Sequence, residues 1–230
     1  MKTIGLIGGT SWLSTAEYYK LINEHLNARL GESHSARILL YSVDFQEFMP
    51  PASSAGWLEF GTRFTEIALR LEKGGADCLL FCANTPHMVA DVVQRKIGIP
   101  LLHIGEKTAL EIKKQCIPKI GLLGTKITME QSFFREKLSA QGIQTFIPNE
   151  NDRNFLHSSI FKELTKGIFR NETRERFLQI IDGLKKEGAK GIILGCTEFP
   201  LLVKQTECDL PLFDTTLIHA LSAVDFALAG

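Results

Sequence analysis

The chain states one pattern twice. Residues 75–87 (GADCLLFCANTPH) and 188–200 (GAKGIILGCTEFP) align position by position at an offset of 113. Gly75 matches Gly188, Ala76 matches Ala189, and Leu79-Leu80 match Ile192-Ile193. Gly5-Leu6-Ile7-Gly8 matches Gly121-Leu122-Leu123-Gly124 at 116, and Ile99-Pro100-Leu101-Leu102 matches Leu210-Pro211-Leu212-Phe213 at 111. Offsets this close allow only small loop changes between copies, so the pattern is a duplicated unit and not a solenoid. In each copy a short apolar run ends in small residues and a helical pattern follows. Such runs are buried parallel strands, and strands alternating with helices give parallel sheets covered on both faces. The expected fold class is α/β: two pseudo-symmetric, doubly wound parallel-sheet domains with an active site in the cleft between them.

Local signals place the elements. Strands are expected over residues 3–8, 37–43, 77–82 and 100–103 in the first half, and over 119–124, 143–147, 190–195 and 210–213 in the second. Ser14-x-x-Glu17 and Thr128-x-x-Gln131 read as capping boxes at helix starts. Thr85 suits an N-cap with Pro86 at the first helical position. Residues 44–56, with Pro50-Pro51 and Ser53-Ser54, read as a long loop of the kind used for lids and binding. Helices are expected over 57–73, 152–166, 172–187 and 215–229. A crossover near residue 100, with the last strand and helix returning, puts 1–100 and 211–230 in the first domain and 101–210 in the second.

Composition excludes several roles. Lys+Arg and Asp+Glu are both 26, so nothing draws the chain to nucleic acid or an anionic membrane. No apolar run is long enough to span a bilayer. The five cysteines are odd in number and include no C-x-x-C pair, which fits a reduced, cytoplasmic setting and no metal site.

The chemistry concentrates where strands end. Cys196 follows an apolar strand and precedes a helix, where unpaired N–H groups and the helix dipole lower a thiol pKa, so a thiolate is expected. Gly8-Gly9-Thr10-Ser11 can present N–H groups to an anion, but it fits neither the dinucleotide fingerprint nor a phosphate loop. Asn84, Thr85 and Thr197 either bind a carboxylate or cap helices. His87 and Glu198 either orient and protonate a neighbour or satisfy the fold. Cys78, Cys116 and Cys208 read as structural, and His25, His34 and His157 as surface residues. The repeat also exposes an asymmetry: Cys196 matches Ala83, while Cys82 matches Gly195. Successive strand residues point to opposite faces, so Cys82 and Cys196 do not face alike if this register holds.

Residues 5–11, Asn84-Thr85-x-His87 and Gly195-Cys196-Thr197-Glu198 together resemble the aspartate/glutamate racemase family over essentially the whole chain. Ser42-Val43-Asp44-Phe45, Gly9-x-Ser11-Trp12 and Pro211-x-Phe213-Asp214 are similar to its broad or L-aspartate/glutamate-specific branch. The resemblance implies a homodimer and a cofactor-independent reaction, in which two cysteines facing opposite sides of the substrate α-carbon remove and return its proton. It makes Cys196 the surviving acid/base, with Thr10, Ser11, Asn84, Thr85 and Thr197 holding the amino acid; Glu198 is a catalytic candidate from its place just inside the helix. Two positions depart from the family. Ala83 stands where the first catalytic cysteine belongs, leaving Cys82 as a weak substitute and a bound water as another. Phe48 stands where some aspartate racemases place an Arg that grips the side-chain carboxylate. A lysine serving beside that Arg falls near Thr165, which makes Lys166 a candidate. The expected function is racemisation of aspartate or glutamate, reduced or one-sided because of Ala83. The alternatives are a cofactor-free decarboxylase of the same superfamily and an impaired amino-acid-binding protein.

Overall fold

The computed structural model of the protein describes residues 1–229. The chain divides into two compact units, Met1–His103 with the tail from His219, and Ile104–Ile218. The first contains β1 (Ile4–Gly8), α1 (Trp12–Leu30), β2 (Ile38–Ser42), α2 (Ser54–Lys73), β3 (Cys78–Phe81) and, after a 3-10 turn at Thr85–Val89, α3 (Ala90–Gln94). The second contains α4 (Ile104–Lys114), β4 (Lys119–Gly124), α5 (Lys126–Glu130), α6 (Ser132–Ser139), β5 (Gln144–Phe146), α7 (Glu150–Lys162), α8 (Asn171–Lys186), β6 (Ile192–Gly195), α9 (Phe199–Leu202) and β7 (Leu212–Asp214). The last helix, α10 (Thr215–Leu228), begins in the second unit and ends in the first.

Both sheets are parallel and share one topology. The first runs β2-β1-β3, with Leu101 bridged to Leu79 beyond β3, and the second runs β5-β4-β6-β7. The pairing reproduces the sequence offsets. Ile7 pairs with Phe81 as Leu123 pairs with Leu194, and Leu79 pairs with Leu101 as Ile192 pairs with Leu212. The duplication is thus carried by the hydrogen-bond register and not only by residue similarity.

Each sheet buries side chains on two faces. On one side of the first sheet, α2 contributes Phe60 and Phe64 to a stack with Phe48 and Phe81, in which neighbouring ring centroids lie 4.7–5.4 Å apart. On the other, Tyr18, Ile22 and Leu26 of α1 pack with Ala220, Ala223, Val224 and Ala227 of α10. In the second unit, Phe177 of α8 meets Phe199 of α9 edge-on at 4.9 Å. Each such buried aromatic contributes about 2–3 kcal/mol, and Phe199 thereby anchors the segment that follows Cys196.

Several boundaries differ from the sequence reading for local reasons. Ser11, three residues before Ser14, caps α1 by accepting the Ser14 N–H, and Thr125 likewise caps α5 by accepting the Thr128 N–H. Hydroxyls nearer the strand end therefore take both caps. Residues 100–103 form a single bridge and not a strand. β7 pairs with β6, so residues 211–218 belong with the second unit and the return to the first occurs inside α10.

The turn after β1 requires a glycine. Gly9 has φ +95°, and a Cβ there would lie 2.1 Å from the Val43 carbonyl oxygen. Gly9→Ala should therefore lower the unfolding free energy by about 3 kcal/mol, from backbone strain plus overpacking. Urea denaturation of the two proteins measures this.

Candidate active site

In the first unit, hydroxyl groups hold the strand ends in place. Thr15 Oγ1 accepts the Gly9 N–H at 2.9 Å and donates to the Ser11 carbonyl at 2.9 Å. Ser14 Oγ donates to the Cys82 carbonyl at 2.6 Å, tying the end of β3 to α1. Neither role is announced by a motif; both need the tertiary approach of α1 to the sheet. Ser11 is occupied as a cap. Thr10 Oγ1 is buried with no hydrogen-bond partner, and a buried hydroxyl left in that state carries a desolvation cost that a ligand can relieve.

After β3, Asn84 is buried and Thr85 half-buried, and neither side chain caps the 3-10 turn that begins at Thr85. His87 is buried, with Nδ1 3.0 Å from the Ala83 carbonyl and 3.2 Å from that of Asn84. Both neighbours are acceptors, so Nδ1 carries the proton and His87 fixes the backbone at Ala83. Its ring packs against Phe81, His103 and His219, with centroids 5.2, 4.8 and 5.4 Å away. His219 donates from Nε2 to the Leu102 carbonyl at 2.6 Å, so its Nδ1 accepts from the Tyr18 hydroxyl at 2.8 Å.

Cys82 is not placed as Cys196 is. It lies on one strand face with Cys78 and Leu80, 0% exposed in the core beneath α1 and α10. Burial alone pushes its pKa far above the ordinary thiol value. The parity argued from the repeat holds in the register: Cys82 is the counterpart of Gly195, and Ala83, half-buried, is the counterpart of Cys196.

In the second unit Cys196 follows the last residue of β6 and is half-buried. Its Sγ donates to Oε2 of Glu198 at 2.9 Å, and Thr197 Oγ1 donates to the same oxygen at 2.9 Å. Glu198 itself is 5% exposed. The expected thiolate is overturned: desolvation raises the Cys196 pKa well above its ordinary value, and the charge and hydrogen bond of Glu198 raise it further. Backbone hydrogen bonding at Thr197 and Glu198 acts in the lowering direction and is outweighed. α9 spans only four residues, too short for a strong dipole. Cys196 is therefore a protonated thiol beside an acceptor, arranged as a donor whose own proton can pass to Glu198.

The remaining candidates fall elsewhere. Lys166 is exposed at the end of a turn, Leu164–Lys166. Phe48 is packed in the core, its ring 3.9 Å beneath the Arg63 guanidinium. Among the described residues no group of three or more His, Cys, Asp or Glu side chains could hold a metal ion, and no helix is long and apolar enough to cross a membrane.

The model of the Asp/Glu/hydantoin racemase family matches residues 7–223. The chain belongs to that family. It is 22% identical over 229 residues to the broad specificity amino-acid racemase RacX of Bacillus subtilis, covering 98% of each protein. Among solved structures, an Asp/Glu racemase candidate from Yersinia pestis is 45% identical with a TM-score of 0.94, covering 99% of this chain and 100% of that one. An aspartate racemase homologue from Pyrococcus horikoshii is 36% identical with a TM-score of 0.87, covering 99% of each. These relatives favour a racemase over the decarboxylase and binding-protein readings. The two parallel sheets are the fold of these racemase-like structures.

Two solution measurements test the thiol assignments. The folded chain keeps Cys82 protonated where the unfolded chain ionises it, so its contribution to stability is complete below the ordinary thiol value of 9.0 and is lost as pH rises above it. The decline should be about 1.4 kcal/mol per pH unit for such a thiol, and Cys82→Ala should make it shallower in urea denaturation at alkaline pH. Glu198→Gln removes the charge that, after desolvation, raises the Cys196 pKa further. Alkylation of the Cys196 peptide by iodoacetamide at fixed pH, followed by mass spectrometry, should become faster in that variant.

Proposed function

We propose that the protein is a cofactor-independent amino-acid racemase acting on aspartate or glutamate, with Cys196 as its acid/base and Glu198 as the group that exchanges a proton with Cys196. The observation that carries this reading is the 2.9 Å hydrogen bond from the Cys196 thiol to Glu198 at the end of β6. An α-proton beside a carboxylate is barely acidic, so the base must be strong and the site must stabilise the carbanion. A thiol whose pKa is held up becomes a strong base once it has lost its proton. As the α-proton passes to Sγ, the thiol's original proton passes to Glu198. In the reverse direction Glu198 returns it and the thiol reprotonates the carbon.

In this reading, following the family resemblance, Thr10, Ser11, Asn84, Thr85 and Thr197 hold the substrate's α-carboxylate and amino group. The buried, unpartnered Thr10 Oγ1 supports that role. Ala83 has no proton to give, so a bound water supplies the opposite face and the reaction is one-sided. The five free cysteines support a reducing, cytoplasmic setting, and the family resemblance supports a homodimer.

Proton NMR of L- and D-aspartate and L- and D-glutamate in D₂O tests the proposal. The α-proton signal of one enantiomer should disappear faster than that of its mirror image. The loss should be abolished in Cys196→Ala and become more equal between enantiomers in Ala83→Cys. Equal turnover in both directions by the parent would sink the one-sided mechanism, and exchange that survives Cys196→Ala would sink the assignment of Cys196.

A further inference from the structure

A second group of polar side chains lies at the sheet edge that carries Cys196. β4 and β6 run in register through Gly124 and Gly195, so Thr125-Lys126 and Cys196-Thr197 leave that edge side by side. Carboxyl ends of parallel strands are where open α/β sheets bind ligands. Lys126 is half-buried there, and its backbone N–H donates to Nδ1 of His157 on α7 at 3.4 Å. The sequence reading places His157 on the surface; in the fold it is half-buried, with Phe161 packed edge-on at 4.9 Å and 64°. Because Nδ1 accepts, the ring proton of the neutral imidazole sits on Nε2, which is a donor.

The electrostatics of this corner favour an anion. Desolvation, then the charge of Lys126, hold His157 below the ordinary imidazole range, with Glu130 acting the other way. Glu130 is committed to Arg153, whose Nε lies 2.8 Å from Oε1 and which also donates to the Pro148 carbonyl. Arg153 and Glu130 neutralise each other, and Lys126 adds a positive charge close enough to act on His157. Lys126 brings a cation to this corner and His157 a ring N–H, the imidazole being held by a backbone hydrogen bond and an aromatic contact.

We propose that Lys126 and His157 form the subsite for the second, side-chain carboxylate of an acidic amino acid, with Lys126 Nζ as its ion-pair partner and His157 Nε2–H as its hydrogen-bond donor. The proposal rests on the racemase reading for the α-carbon end of the substrate. It adds what selects a dicarboxylic amino acid over its neutral amide.

The test is calorimetric titration of the full chain with L-aspartate and with L-asparagine, alongside α-proton exchange in D₂O. The parent should bind aspartate roughly tenfold or more tightly than asparagine, the scale of a charge-assisted contact. Lys126→Met should remove that preference by weakening aspartate while leaving asparagine unchanged, Lys126→Arg should retain it, and His157→Asn should reduce it. In kinetics the same loss should appear in KM for aspartate and not in kcat. An aspartate-to-asparagine ratio unchanged in both Lys126→Met and His157→Asn overturns the subsite, and so does a parent that does not bind aspartate. Failure of the racemase reading shows differently, as aspartate binding without α-proton exchange. The affinity ratios then still decide whether this subsite exists.

Discussion

Parallel register is the constraint on which the rest depends. A strand side chain can face only one of two ways, and the hydrogen bonds between neighbours decide where the alternation stops. Equivalent pairs lie near the ends of both ladders, Ile7 with Phe81 and Leu123 with Leu194, and in the second sheet the pairing continues to Gly124 with Gly195. Cys82 still donates its N–H to Ile7 and Gly195 still pairs with Gly124, so the residues just beyond the ladder are Ala83 in one copy and Cys196 in the other. A shift of one residue would turn Cys82 outward and bury Ala83, reversing the chemistry without altering the composition. The packing forbids that shift, because Cys78, Leu80 and Cys82 share one core with Tyr18 and Ile22.

Once register has placed Cys196, its environment decides its character. A thiol at the start of a helix invites a thiolate reading, yet here burial and a carboxylate 2.9 Å away dominate. The helix that should lower the pKa is a single turn. The Cys196 thiol and the Glu198 carboxylate stand within hydrogen-bonding distance of each other.

Much of this was legible in the sequence because duplication made the chain its own comparison. The offsets 116, 113 and 111 match Ile7, Phe81, Leu79 and Leu101 to Leu123, Leu194, Ile192 and Leu212, and the two sheets then pair the matched residues equivalently. The α/β class, the order of elements and the asymmetry at Ala83 follow from the same alignment. What was not legible depends on contacts distant along the chain. Ser11 and Thr125 outcompete the capping boxes because of where the preceding strands stop, which a local motif does not encode. β7 joined the second sheet because its edge partner is β6, whereas Leu210 to Phe213 alone fit either unit. The state of Cys196 was misread because the dipole rule takes no account of helix length or of a carboxylate two residues on. His157 looked like a surface residue because the backbone N–H it accepts from lies 31 residues earlier.

The route of α10 orders how the chain can be completed during synthesis. Every strand of the second sheet lies before Thr215, so that unit has all its sequence once Ile218 has emerged. The first unit, although translated first, still lacks His219, which Tyr18 binds, and Ala220, Ala223, Val224 and Ala227, which cover one face of its core. Its nascent β1-α1 face stays uncovered through the synthesis of the whole second unit, so the half of the protein made first is the half that must be finished last.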